Sequence, residues 1–192
     1  MDFTRETLII RLQKQYDEKA WNEFSTIYSG FIFAILIKMN INTTDRDDLA
    51  QEILLKAWKG IPKFELDHKR GKFRNWLGRI VSNTAKNYYR STASRRKAHD
   101  KSQETYESFS EPDIEQIAKE EWRTFIANMA WENIKDSLVE SNRKCFELIS
   151  EGLSISEVSE QLGMSSNNVS VYKKRVINKL SLEILRLEEE LG

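Results

Sequence analysis

Three groups of side chains have the types and spacing to do chemistry in this chain, and in each the chemistry is recognition. Asp48, Gln51, Glu52, Leu55 and Lys59 recur at helical spacing, which gathers carboxylates, an amide and one apolar side chain on a single face. Arg79, Asn83, Lys86 and Arg90 recur in the same way, flanked by Arg74, Asn87 and Tyr88. Near the C-terminus, Asn167, Asn168, Ser170, Val171, Lys174, Arg175 and Asn178 are left over on the outer side of an amphipathic stretch. Cations of one sign neutralise phosphates, and an asparagine amide can pair bidentately with adenine.

Catalytic constellations do not emerge. His68 and His99 sit in basic surroundings without a Cys or carboxylate at metal-ligand spacing. Cys145 falls on an apolar helical stripe, where a thiol packs rather than attacks. No Gly-rich loop is present to cradle a phosphate. Asp48 and Glu52 share a face, but acids near a helix start are favoured by its dipole and need no metal to explain them. The reading is therefore a non-enzyme with no cofactor and no metal.

Stepping from side chains to composition, the 192 residues are 40% apolar and 31% charged, with zero net charge. Whole-chain charge announces no partner, but its distribution does. From His68 to Lys101 there are eleven Lys or Arg against one acid, and from Ser102 to Glu121 seven acids against one Lys. A basic surface followed by an acidic connector is the implied layout. A single cysteine excludes an internal disulfide and fits a reducing, cytoplasmic setting. The most apolar run, Phe31 to Ile37, is too short to span a bilayer. Two prolines, seven glycines and long stretches of helix formers predict an all-α chain.

The elements that must position these residues follow from periodicity. A helix is predicted from about Thr4 to Tyr16, and a longer one to about Met39 with Asp17 as its N-cap. Thr43 or Thr44 caps a third, to about Trp58, with Leu49, Ala50, Ile53, Leu54, Ala57 and Trp58 facing inward. Leu55 lies on the opposite, polar side, either as a scattered surface leucine or as the apolar anchor of a protein-binding face. Pro62 ends that helix. The loop that follows interleaves Phe64 and His68 with Lys63, Lys69, Arg70 and Lys72, a mixture suited to holding an unstacked base. A fourth helix, from about Phe73 to Arg90, buries Phe73, Trp76, Leu77, Ile80, Val81 and Thr84. Its outer face carries charge of one sign, without the i,i+4 ion pairs of an ordinary solvated helix, and Arg95, Arg96 and Lys97 extend the patch.

Residues 91–113, rich in Ser, Thr, Glu and Lys, read as a flexible connector. Helix resumes near Ile114 and runs to about Leu138. A short helix from Asn142 to Glu151 then presents Cys145, Leu148 and Ile149 inward. Ser154 and Glu157 form an S-x-x-E capping box for the next helix, Gly163 supplies a turn, and Ser165 caps a last helix from Ser166 to about Leu187. Val169, Tyr172, Val176 and Leu180 are its inner positions. This is a helix-turn-helix pattern, with polar residues early in the recognition helix and cations later.

The stretch DLAQEILLKAW, Asp48 to Trp58, resembles the D-L-x-Q-E-x-x-L-x-x-W signature of the extracytoplasmic-function (group four) sigma factors of bacterial RNA polymerase. RGKFRNWLGRIVSNTAKNYYR, Arg70 to Arg90, looks like that family's promoter-melting segment, and EGLSISEVSEQLGMSSNNVSVYKKRVINKL, Glu151 to Leu180, like its C-terminal helix-turn-helix. The resemblance implies two small helical domains: a region 2 domain over residues 1–97, a linker over 98–116, and a region 4 domain over 117–192. It implies that Asp48, Gln51 and Glu52 contact the clamp helices of the polymerase largest subunit, Leu55 being added from its place on that face. It further implies that the loop from Lys63 to Lys72 and the face Arg79, Asn83, Lys86, Asn87 and Arg90 engage the minus-ten element. Asn167, Asn168, Ser170, Lys174 and Arg175 would read the minus-thirty-five element near the polymerase flap. Exposed apolar residues between the domains would suit an anti-sigma factor, if one holds this protein. Arg79 and Ile80 stand where primary sigma factors carry paired aromatics, which implies melting by base capture and strict promoter choice. The rival is a stand-alone helix-turn-helix regulator with an N-terminal dimerisation or sensing domain.

Overall fold

The structure is a computed structural model that describes residues 4–14, 17–64, 73–99 and 111–191. The described residues form helices and no strand: α1 (Thr4–Gln13), α2 (Glu18–Lys38), α3 (Thr43–Gly60), α4 (Phe73–His99), α5 (Glu111–Ile134), α6 (Glu140–Ser150), α7 (Ile155–Leu162) and α8 (Ser166–Leu191). Short 3-10 turns follow α3 at Ile61–Lys63 and α5 at Lys135–Ser137. The chain divides into two compact units, the first running to Phe125 and the second from Ile126 to Glu189.

In the first unit α2 is the central post. Its N-cap is Asp17, whose carboxylate accepts from the Ala20 amide at 2.9 Å and from Arg11 Nε at 2.8 Å. Phe24, Tyr28, Phe31, Ile32, Ile35 and Leu36 leave α2 at three- and four-residue spacing and are buried. By length and composition alone α2 could cross a membrane; here that apolar stripe is the core. Leu49, Ala50, Ile53 and Ala57 of α3 and Phe73, Leu77, Val81 and Ala85 of α4 close over it. Leu54, Trp58, Trp76 and Ile80, expected to be inward, are only half-buried. Trp58 still meets Trp21 edge to face at 4.9 Å. At the end of α3 a Cβ on Gly60 would lie 2.7 Å from the Trp76 ring. Glycine there leaves room for the Trp76 ring of α4.

Three expectations shift. The N-cap of α3 is Asn42, with Thr43 already inside the helix and no side-chain cap bond. Helix α4 continues to His99, past the expected end at Arg90. Helix α5 starts at Glu111, within the expected linker, and its first half joins the first unit rather than the second. The physical reason is apolar: Ile114 and Trp122 are almost fully buried, and Trp122 and Phe125 meet Phe31 at 5.2 and 6.0 Å.

The second unit follows the expected order. Ser154 and Glu157 complete a reciprocal capping box at the start of α7, at 3.3 and 2.8 Å. Gly163 takes the left-handed conformation, φ 63°, that ends α7 and turns the chain. Cys145, Val158 and Val169 form the buried centre, surrounded by Leu148, Ile149, Leu153, Ile155, Leu162, Met164 and Tyr172.

Candidate partner and nucleic-acid interfaces

On α3 the core stripe leaves the opposite side in solvent. Asp48, Gln51, Glu52, Leu55 and Lys59 are all exposed, and Leu55 keeps 50% of its surface. An apolar side chain that half-exposed among polar groups has the layout of a contact centre with a polar rim.

On α4 the outer face is present as the spacing required. Arg79, Asn83, Asn87 and Arg90 are exposed, while Lys86 and Tyr88 are half-buried. Arg74 is less free than its charge implied: its guanidinium lies 5.9 Å from the centre of the Trp122 ring. Phe64 is likewise engaged, its ring 5.4 Å from Phe73 and 5.1 Å from Trp76, while Lys63 is exposed. His68, Lys69, Arg70 and Lys72 lie outside the described residues, as do the side chains of Arg95, Arg96 and Lys97.

The two faces meet. Asp45, Asp48 and Glu52 of α3 share a cleft with Thr84, Asn87 and Tyr88 of α4. Two polar struts cross beside it. The Tyr88 hydroxyl donates to Asp45 Oδ2 at 2.6 Å, and Lys56 Nζ donates to Thr84 Oγ1 at 2.9 Å while pairing with Glu52 at 2.7 Å. Thr84 is 1% exposed, so Lys56 satisfies a hydroxyl that burial would otherwise penalise. Lys56 and the Asp45–Tyr88 bond were not singled out from sequence. The one available signal was Lys56 standing four residues after Glu52.

A third strut holds the base of the basic loop. Gln13 of α1 donates its side-chain amide to the Phe64 carbonyl at 2.7 Å and lies 3.4 Å from that of Ile61.

In the second unit Asn167, Asn168, Ser170, Val171, Lys174, Arg175 and Asn178 are all exposed along α8. Ser165 caps the helix, accepting from the Asn168 amide at 3.2 Å. Asn168 thereby stands in the first turn, where recognition helices present their reading groups. The Ser170 hydroxyl donates back to the Ser166 carbonyl at 2.9 Å, and Arg175 stands 5.8 Å from the Tyr172 ring centre. Glu157 has its pKa lowered by its bonds to Ser154, and burial pushes the Cys145 thiol up, away from nucleophilic use. Among the described residues no cluster of His, Cys, Asp or Glu could hold a metal.

Among the described residues a cationic helix face in the first half is followed by a helix-turn-helix in the second, the layout of a class of protein that binds DNA through helices. Comparison with known families agrees: residues 26–96 match sigma-70 region 2, and residues 136–185 match the bacterial regulatory proteins of the luxR family. Curated relatives are named ECF RNA polymerase sigma-E factor. That of Escherichia coli is 36% identical over 85 residues, 44% of this chain and 42% of the relative. That of Haemophilus influenzae is 37% identical over 87 residues, with the same shares. The chain thus spans under half the length of the curated relatives it matches. A solved structure described as "Structure of CnrH in complex with the cytosolic domain of CnrY" aligns over 92% of this chain and 94% of that one, at 21% identity and a TM-score of 0.39. Over residues 26–96 the chain is thus similar to sigma-70 region 2, and the relatives it matches over part of its length are extracytoplasmic-function sigma factors.

Proposed function

We propose that this protein binds core RNA polymerase and directs it to specific promoters, without enzymatic activity of its own. The observation that carries this reading is the sigma-70 region 2 match over residues 26–96, which takes in both the exposed α3 face and the one-sign face of α4. In this reading Asp48, Gln51, Glu52 and Leu55 dock on the clamp helices of the largest subunit. Arg79, Asn83, Lys86, Asn87 and Arg90, with Lys63, Phe64 and Arg74 beside them, engage the minus-ten element. The loop residues His68, Lys69, Arg70 and Lys72 hold one non-template base. Asn167, Asn168, Ser170, Lys174 and Arg175 read the minus-thirty-five element, with the second unit near the flap. An anti-sigma factor is a further partner, and the site of action is the cytoplasm.

Reconstitution tests it. Core enzyme with this protein starts transcription at a discrete promoter, and neither component does so alone. Absence of any binding to core defeats the proposal. Tight binding to a palindromic duplex without polymerase would instead favour the stand-alone regulator, a reading that the luxR-type match of residues 136–185 keeps in view.

A further inference from the structure

Helix α1 precedes residue 26, where the region 2 match begins, so that match gives it no role. Leu8, Ile9 and Leu12 of α1 are buried and belong to the core. Gln13, the last residue of the helix, is half-exposed and does something else. Its side-chain amide donates to the Phe64 carbonyl at 2.7 Å and to the Ile61 carbonyl at 3.4 Å. One amide nitrogen carries two N–H groups and can serve both acceptors. The Phe64 amide also donates to Ile61, at 3.0 Å, which closes the 3-10 turn after α3. Phe64 itself is extended, with φ −76° and ψ 118°. Its carbonyl has therefore left the helical ladder and takes a donor from α1, 51 residues away in sequence. The Phe64 ring lies 5.4 Å from Phe73 and 5.1 Å from Trp76, at the start of α4. Lys63, beside it, is exposed.

We propose that Gln13 is a positioning residue for promoter choice at the minus-ten element: through the Phe64 carbonyl it sets where Lys63 and Phe64 stand beside α4. The two holds on Phe64 divide the task. The aromatic contacts fix the place of the ring. The bond from Gln13 fixes the plane of the peptide that leaves Phe64, and so the direction of the chain at the edge of the DNA face. Discrimination between bases depends on groups held within a fraction of an ångström, and a site left loose by its supporting residues loses it first. Gln13 is half-exposed, so water replaces the lost donor and the core of α1 stays in place. Its removal loosens the recognition geometry rather than the fold. The inference rests on the sigma-factor reading and adds to it a residue of α1 that touches no DNA.

The full chain carrying Gln13→Met, which keeps the length of the side chain and removes its donors, is assayed with core polymerase on two promoter libraries. One is randomised in the minus-ten element, the other in the minus-thirty-five element. The expected result is unchanged binding to core and an unchanged minus-thirty-five ranking, with preference between minus-ten bases flattened about fivefold or more, the lower end of what one base contact discriminates. Gln13→Lys, which restores a donor, recovers the minus-ten ranking. Gln13→Glu, close in shape and without the donor when ionised, takes the place of Gln13→Met should that variant not fold. An unchanged minus-ten ranking overturns the proposal. So does an equal loss across both libraries, because a merely structural residue lowers all promoters alike. A wild type that supports no transcription with core would instead sink the sigma-factor reading, before any Gln13 variant is compared.

Discussion

Glu52 is already partnered within its own helix. Its carboxylate pairs with Lys56, and Lys56 also serves the buried Thr84 hydroxyl. Half-exposed i,i+4 pairs contribute little to stability, so removing the carboxylate leaves Lys56 with its Thr84 bond and the helix intact. Gln51→Ala with Glu52→Ala is expected to weaken binding to core polymerase while changing the stability of the free protein by no more than about 0.5 kcal/mol. Affinity for core and urea denaturation are the two measurements. A large loss of folded protein would mean that this face supports the fold. At Asn168 the expectation concerns choice rather than strength. Ser165 fixes the backbone of that turn, so Asn168→Ala removes the amide without moving the helix. Upstream promoter preference should relax by about 1–3 kcal/mol if the contact is bidentate. Unchanged selectivity in a promoter library would remove Asn168 from the reading set.

At the scale of elements, the N-cap of α2 contributes a pH dependence. Asp17 caps α2 and is held at about 2, against an ordinary 3.8, chiefly by its bond from Arg11 and then by the Ala20 amide. The folded value lies below the unfolded one, so this contribution is complete above about 3.8 and is lost as pH falls toward about 2. Asp17→Asn should flatten the fall in stability across that window, read by denaturant melts at stepped pH; an unchanged slope would show that the cap does not carry it. Caps such as Asp17 and the Ser154–Glu157 box were legible because they are local chemistry, fixed by residues three apart. The allegiance of α5 was not. The recurrence of Ile114, Trp122 and Phe125 says that a stripe is buried, not by which unit, and the polar residues before it resemble a linker. The Lys56–Thr84 strut joins positions 28 apart and leaves no periodic trace. Arg74 and Phe64 carry protein contacts that no sequence pattern announces. Charge and aromaticity pointed both toward DNA, yet the fold gives their side chains protein neighbours in Trp122, Phe73 and Trp76.

For the whole molecule, net charge is zero, so long-range attraction to DNA must come from local surfaces rather than from the chain as a sphere. In the proposed function two surfaces divide the work: α4, with cations of one sign, and the start of α8, with amides ahead of its cations. Phosphate contacts release counterions and set the salt dependence; base contacts set the sequence preference and leave that dependence nearly alone. The two surfaces should therefore separate in one experiment, a titration of holoenzyme on promoter DNA across salt concentrations. Arg79→Ala with Lys86→Ala is expected to weaken binding to every promoter alike and to lower the slope of log affinity against log salt by about 2, or about 1.4 if both phosphates lie on a single strand. Asn168→Ala should reorder the promoters and keep the slope. If the double variant keeps the wild-type slope, Arg79 and Lys86 make no phosphate contact, and the one-sign face of α4 is a solubility feature. If Asn168→Ala lowers the slope without reordering promoters, α8 grips phosphate and the reading lies elsewhere.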